Sequence, residues 1–235
     1  MNYLVCSTPR TGSNLLTLML AATGCAGNPK EFFEPQHAMP AFVKEVGMFS
    51  VEEALGAVPA YIEKLRVRYS TSNGAFGVKI HYEHFAHLRN TGARLEDFLH
   101  PCRLVFCSRS NIIRQAISLV RALQTNAWIA GDTPRSEPVF GADRITHFIH
   151  LIRSYNRSWE DFFASQRVEP YRVTYETFVE RKESEIRALL TFLGVAFDPN
   201  ELAMRISEAE PILGIQSDRI NEEWFTRYTR HFVQP

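Results

Sequence analysis

Residues 3–16 read Tyr3-Leu4-Val5-Cys6-Ser7-Thr8-Pro9-Arg10-Thr11-Gly12-Ser13-Asn14-Leu15-Leu16. The first four form an apolar run of strand length, and Leu15, Leu16, Met19 and Leu20 recur at helical spacing. Between them lies a short polar turn. Strand, tight turn and helix in that order are the layout of a phosphate-binding loop. The unpaired N–H groups at the helix start and the positive end of its dipole attract an anion there. Gly12 lets the backbone approach closely, Ser13 can cap the helix or bond an oxygen, and Arg10 adds a planar fork suited to phosphate or sulfate oxygens. The Gly-Lys pair of ATP and GTP loops is absent. That argues against an ordinary kinase or GTPase. It favours a donor whose leaving group is a nucleotide and which needs no magnesium.

Working outward from the loop, further strands are expected at 77–81, 103–107 and 171–175. Helices are expected at 13–23, 51–69, 111–128, 143–166 and 181–193, with a polar loop at 131–139. The alternation predicts an α/β fold: a P-loop-type parallel sheet flanked by helices on both faces. No repeat, low-complexity tract or linker interrupts it, so one domain over 1–235 is expected. Ligands of such sheets bind beyond the carboxyl ends of the strands. The residues to watch are therefore 7–13, Lys79 to His81, Ser108 with Arg109, and Tyr175 with Glu176.

Composition narrows the classes of function. Formal net charge is zero, so whole-molecule electrostatics give no case for a nucleic acid or an anionic membrane. No apolar window of about 18 residues is present, so no membrane span is expected. The start of the chain lacks the basic region of a signal peptide, and Cys6, Cys25, Cys102 and Cys107 show no metal-ligand spacing. Both point to a cytoplasmic protein with reduced thiols. His81, His84 and His87 recur every third residue, as do His147 and His150. Metal-binding pairs on helices more often use a four-residue step with an acidic partner, so these read as helix-face histidines and no metal is expected.

The loop resembles the 5′-phosphosulfate loop of sulfotransferases that use 3′-phosphoadenosine 5′-phosphosulfate (PAPS). Gly27-Asn28-Pro29-Lys30-Glu31-Phe32-Phe33 is similar to the Gly-x-Pro-x-Glu-Phe-Phe segment of the bacterial trehalose 2-sulfotransferase branch. Two further stretches resemble that branch: residues 114–125 (RQAISLVRALQT) with Trp128 beyond them, and residues 216–224 (QSDRINEEW). The matches run in order along nearly the whole chain.

The resemblance implies that Arg10, Thr11, Gly12, Ser13 and Asn14 cradle the phosphosulfate, with Arg10 in the place a lysine has in ATP loops. It implies that Arg109 and Ser118 hold the 3′-phosphate; their spacing is nine residues, where many animal cytosolic members have eight. Arg219 and its neighbours would close over the nucleotide. The branch offers Glu31 as general base. Lys79-Ile80-His81 is similar to the Lys-x-His of animal cytosolic sulfotransferases, where the histidine is the base. Both candidates therefore stand, with Glu31 first because its whole segment matches; Lys79 would contact the sulfuryl or bridging oxygen. The implied reaction moves a sulfuryl group from PAPS onto a hydroxyl of a carbohydrate or glycolipid acceptor and leaves adenosine 3′,5′-bisphosphate, without metal. The branch and the apolar helices suggest a homodimer. The competing expectations are a nucleotide-dependent phosphotransferase and a catalytically silent nucleotide-binding protein.

Overall fold

The computed structural model describes residues 1–128, 131–209 and 219–232. Its elements run β1 (Asn2–Ser7), α1 (Ser13–Ala22), α2 (Ala38–Glu45), α3 (Val51–Gly56), α4 (Val58–Tyr69), β2 (Phe76–His81), α5 (Tyr82–Asn90) and α6 (Leu95–Phe98). They continue with β3 (Cys102–Ser108), α7 (Ile112–Thr125), α8 (Ala142–Gln166), β4 (Tyr171–Thr174), α9 (Tyr175–Glu180), α10 (Lys182–Leu193), α11 (Pro199–Ala209) and α12 (Arg219–Phe232). The four strands form one parallel sheet in the order β2-β1-β3-β4. The α/β sheet with helices on both faces is thus as expected.

Strand alternation builds the two faces. Leu4, Cys6, Val78, Ile80, Leu104 and Phe106 point to one side, where α4, α5 and α8 add Tyr61, Phe85 and Trp159. Tyr3, Val5, Val105 and Cys107 point to the other, under α1, α10 and α11. A third cluster joins α7, α8 and α12 through Ile117, Ile149 and Trp224. Side chains alternate across a strand, so an apolar run of six or seven residues feeds both layers.

One expected helix is two. The stretch at 51–69 breaks at Ala57, whose ψ of 51° leaves the helical region. Pro59 stands in the first turn of α4, where its missing N–H costs nothing; inside a continuous helix it would remove a hydrogen bond.

The chain enters the sheet at its centre. From β1 it crosses to β2 on one side, and β3 then lies on the other. This reversal opens a crevice beyond the carboxyl end of β1. Ser7 and His81 are register partners there, and the loop 8–12 rises between them and α7.

Candidate active site

The loop is pinned from three sides. Trp159 Nε1 donates to Ser7 O at 2.9 Å. Gln115, fully buried on α7, donates through Nε2 to Thr8 Oγ1 at 2.9 Å and to Pro9 O at 2.7 Å. Thr11 Oγ1 donates to Thr8 O at 3.0 Å. Gly12 caps α1 with φ of +80°, and a Cβ there would stand 2.4 Å from the Tyr175 ring. Only glycine meets both conditions without strain. Arg10 also takes a left-handed backbone, with φ of 66°. Such conformations cost energy and persist where surrounding structure holds them.

Arg10 turns away from the helix start. Its Nε donates to Ser118 Oγ at 2.9 Å and its Nη1 to Trp128 O at 2.5 Å. Its pKa is pushed down to about 10, first by burial and then by the charges of Arg109 and Arg121. Arg109 donates to Arg10 O at 3.5 Å, and its guanidinium lies 4.5 Å over the Tyr175 ring. Its Nε is buried without a hydrogen bond. Glu176 accepts from the N–H groups of Ser110 and Asn111 at 2.9 and 3.1 Å, which fixes the turn that carries Arg109. Arg10, bonded to Ser118, thus feels the positive charge of both Arg109 and Arg121, an arrangement that suits a multiply charged anion. Arg121 is a member that the sequence reading quoted but gave no role.

The lysine missing from the loop is supplied by the neighbouring strand. Lys79, 3% exposed on β2, reaches Asn14 Oδ1 on α1 with its Nζ. The same Nζ lies 2.8 Å from Glu31 Oε2. Glu31 arrives there because Lys30 makes a single parallel bridge to Val78 and accepts from Lys79 N at 2.9 Å. Phe32 and Phe33 anchor the segment: both are buried in the aromatic core, and Phe32 O accepts from Tyr61 Oη at 3.0 Å. Both are core residues.

Glu31 sits among Lys79 and two imidazoles. His81 Nε2 lies 3.1 Å from Oε1, and His84 Nδ1 lies 3.5 Å from the same oxygen. Burial pushes the Glu31 carboxyl up, but His81 and Lys79 outweigh it and hold it well below the usual carboxylate range. His81 is pushed down to about 4, chiefly by burial, against the pull of Glu31. At neutral pH the pair is therefore a carboxylate and a neutral imidazole. The second imidazole nitrogen, Nδ1, lies 2.9 Å from Ser7 Oγ. With both nitrogens engaged, His81 is placed to orient Glu31.

The histidines at 81, 84 and 87 are not one helix face. His81 ends β2, and α5 begins only at Tyr82. His81 and His84 meet at Glu31 across that boundary. Glu34, the nearby acid, instead accepts from the N–H groups of Gln36, His37 and Ala38. Arg219 stands apart: its side chain is 91% exposed and pairs with Glu223 at 2.9 Å. Among the described residues no contact joins it to the loop. Gln216, Ser217 and Asp218, part of the resembling stretch, lie outside the described residues.

A parallel sheet with a glycine-bearing turn after β1, guanidiniums on one side and a half-buried carboxylate on the other, is the layout of a P-loop-type fold. The chain belongs to the Stf0 sulphotransferase family, whose profile matches residues 2–231. It is similar to proteins named trehalose 2-sulfotransferase. One, from Mycobacterium tuberculosis, is 29% identical over 96% of this chain and 93% of its own. Another, from Mycolicibacterium smegmatis, is 30% identical over 97% and 94%. Among solved structures, the sulfotransferase domain of the Synechococcus PCC 7002 olefin synthase matches with a TM-score of 0.54 at 14% identity, covering all of this chain and 95% of that one. Mouse sulfotransferase SULT7A1, complexed with PAP, matches with a TM-score of 0.51 at 14% identity over 99% and 81%. These two likenesses are of fold. The chain is a sulfotransferase, and no helix among the described residues is long and apolar enough to cross a membrane.

Proposed function

We propose that residues 1–235 work as one domain that transfers the sulfuryl group of PAPS to a hydroxyl of a carbohydrate, with trehalose the first acceptor to try. The observation that carries the reading is Lys79, which ties the anion loop, through Asn14, to the Glu31 carboxylate. Donor loop and base are thereby held in one crevice. The names of the relatives support the sugar acceptor. The cytoplasm fits four free thiols, and a homodimer belongs to the same reading.

In this mechanism the N–H groups at the start of α1 and Lys79 face the sulfated end, and Arg109, Arg121 and Arg10 with Ser118 hold the ribose phosphate. Glu31 takes the proton of the acceptor hydroxyl as its oxygen attacks sulfur. The sulfur–oxygen bond to the nucleotide breaks, and its electron pair leaves on the phosphate. Lys79, preorganised beside the loop, offsets that charge. His81 holds Glu31 in place through Nε2.

The experiment is a thermal melt with adenosine 3′,5′-bisphosphate against ATP plus magnesium. The bisphosphate at 100 times its dissociation constant adds about 2.7 kcal/mol of stability. ATP plus magnesium giving the larger shift would return the phosphotransferase reading. Labelled sulfate appearing on a sugar in a panel led by trehalose separates an enzyme from a silent binder.

A further inference from the structure

The reaction releases a proton onto Glu31, whose side chain is 21% exposed and which a seated acceptor covers further. An alcohol that becomes a sulfate ester gives up its hydrogen, and Glu31 is its first holder. Before the next turnover that proton must reach water. Two of the groups around Glu31 lead inward. Lys79 is 3% exposed and turns to Asn14; His81 is 9% exposed and turns to Ser7 Oγ. His84 leads outward. Its Nδ1 lies 3.5 Å from Glu31 Oε1, and its Nε2 lies 3.5 Å from Glu83 Oε1. The side chain of Glu83 is 41% exposed.

We propose that His84 is a proton-relay residue, which carries the acceptor's proton from Glu31 to Glu83 and so to solvent. The proposal rests on Glu31 being the base. An imidazole is suited to the step because it accepts on one nitrogen while it donates from the other. In the tautomer with hydrogen on Nε2, the Nδ1 lone pair faces Glu31. An ionised carboxylate has no hydrogen to offer it, and Nδ1 is indeed buried without a hydrogen bond. Arrival of the acceptor's proton on Glu31 supplies the missing donor. The proton then passes to Nδ1, the Nε2 hydrogen passes to Glu83, and Glu83 gives one proton to water. One proton enters and one leaves; His84 is left with its hydrogen on Nδ1, and a ring flip or exchange of its ring protons with water restores the starting tautomer before the next turnover.

The surroundings of Glu83 help it take the proton from His84. Burial, the larger influence, and then Glu31 and Glu34 push its carboxyl up, against the pull of His84. The two 3.5 Å gaps are wider than a working hydrogen bond. Catalytic hydrogen bonds often tighten only when the substrate is bound.

The test compares His84→Gln, Glu83→Gln and Glu31→Gln with the parent, using labelled PAPS and trehalose or the best sugar of the panel. For a relay, His84→Gln lowers kcat by about tenfold or more and leaves the donor KM unchanged. Added free imidazole restores part of that loss, and the solvent isotope effect on kcat rises. Unchanged kcat in His84→Gln, with Glu31→Gln inactive, overturns the relay and leaves the base reading intact. A lost kcat that imidazole does not restore overturns it as well. Full activity of Glu31→Gln sinks the base reading itself. A second arm needs no acceptor: in ¹⁵N-histidine spectra, Glu31→Gln shifts Nδ1 of His84 and Glu83→Gln shifts Nε2. Resonances that move in neither variant break the wire.

Discussion

Glu31 keeps its charge where burial alone would remove it. Lys79 and His81 make that charge tolerable, and this coupling has measurable consequences. With Glu31 as the proposed base, Glu31→Gln keeps the shape and removes the proton acceptor, so turnover is expected to fall by about 10²-fold or more, with the donor KM little changed. Radiolabel transfer at saturating donor checks it. Acid should weaken the fold from an unusually high pH. The unfolded chain protonates His81 below its ordinary 6.5, whereas the folded chain resists until about 4, so stability falls as pH drops through that window. Glu31 adds to the loss lower down: its depressed pKa gives stability that is present above its ordinary 4.5 and disappears as pH falls toward the folded value. Melting temperatures between about pH 7 and about pH 5 should decline in the parent and decline less in His81→Gln. Glu31, Lys79 and His81 were all legible in the sequence, because each belongs to a short motif. His84 was not. A period of three suggested one helix face, and no periodicity spans the change from strand to helix between His81 and Tyr82.

The element that matters most is the turn between β1 and α1. Its shape comes from Gly12, and its place from Gln115 and Trp159. Gly12→Ala combines a left-handed backbone with a Cβ driven into Tyr175. We expect a loss of about 1–3 kcal/mol, read by denaturant melts, together with loss of the thermal shift from adenosine 3′,5′-bisphosphate. An unaltered shift would mean that the turn does not hold the anion. The loop itself was readable from the residues, as were β1 and β3, whose dense apolar runs mark buried parallel strands; β4 at the edge, with only Val173 buried, was read from its aromatic and β-branched residues. The direction of Arg10 was not readable: its target, Ser118, lies 108 residues away. The break at Ala57 had a signal in Pro59, which a single helix over 51–69 cannot accommodate.

At the scale of the whole molecule, one side chain fastens the largest core to the crevice. Trp159 is fully buried on α8, stacks on Phe163, packs against Phe85 and Tyr82, and still donates to the last carbonyl of β1. Trp159→Phe keeps most of the packing and strands Ser7 O, at a cost of about 1–3 kcal/mol. Trp159→Ala empties the space as well and costs about 3–5 kcal/mol. Equal melting temperatures for Trp159→Phe and the parent would remove the hydrogen bond from the account. The α/β architecture was open to sequence reading, since alternation of strand and helix restricts the topology. The meeting of Arg109 with Arg10 and of His84 with Glu31 depends on how distant segments cross.

The lysine that reaches the turn after β1 is rooted in β2, 65 residues from the Asn14 it touches. Transplanting residues 7–16 into another scaffold would therefore export the contour without its counter-charge. A designer must move two strands together, and a survey for such proteins should look for the lysine next door.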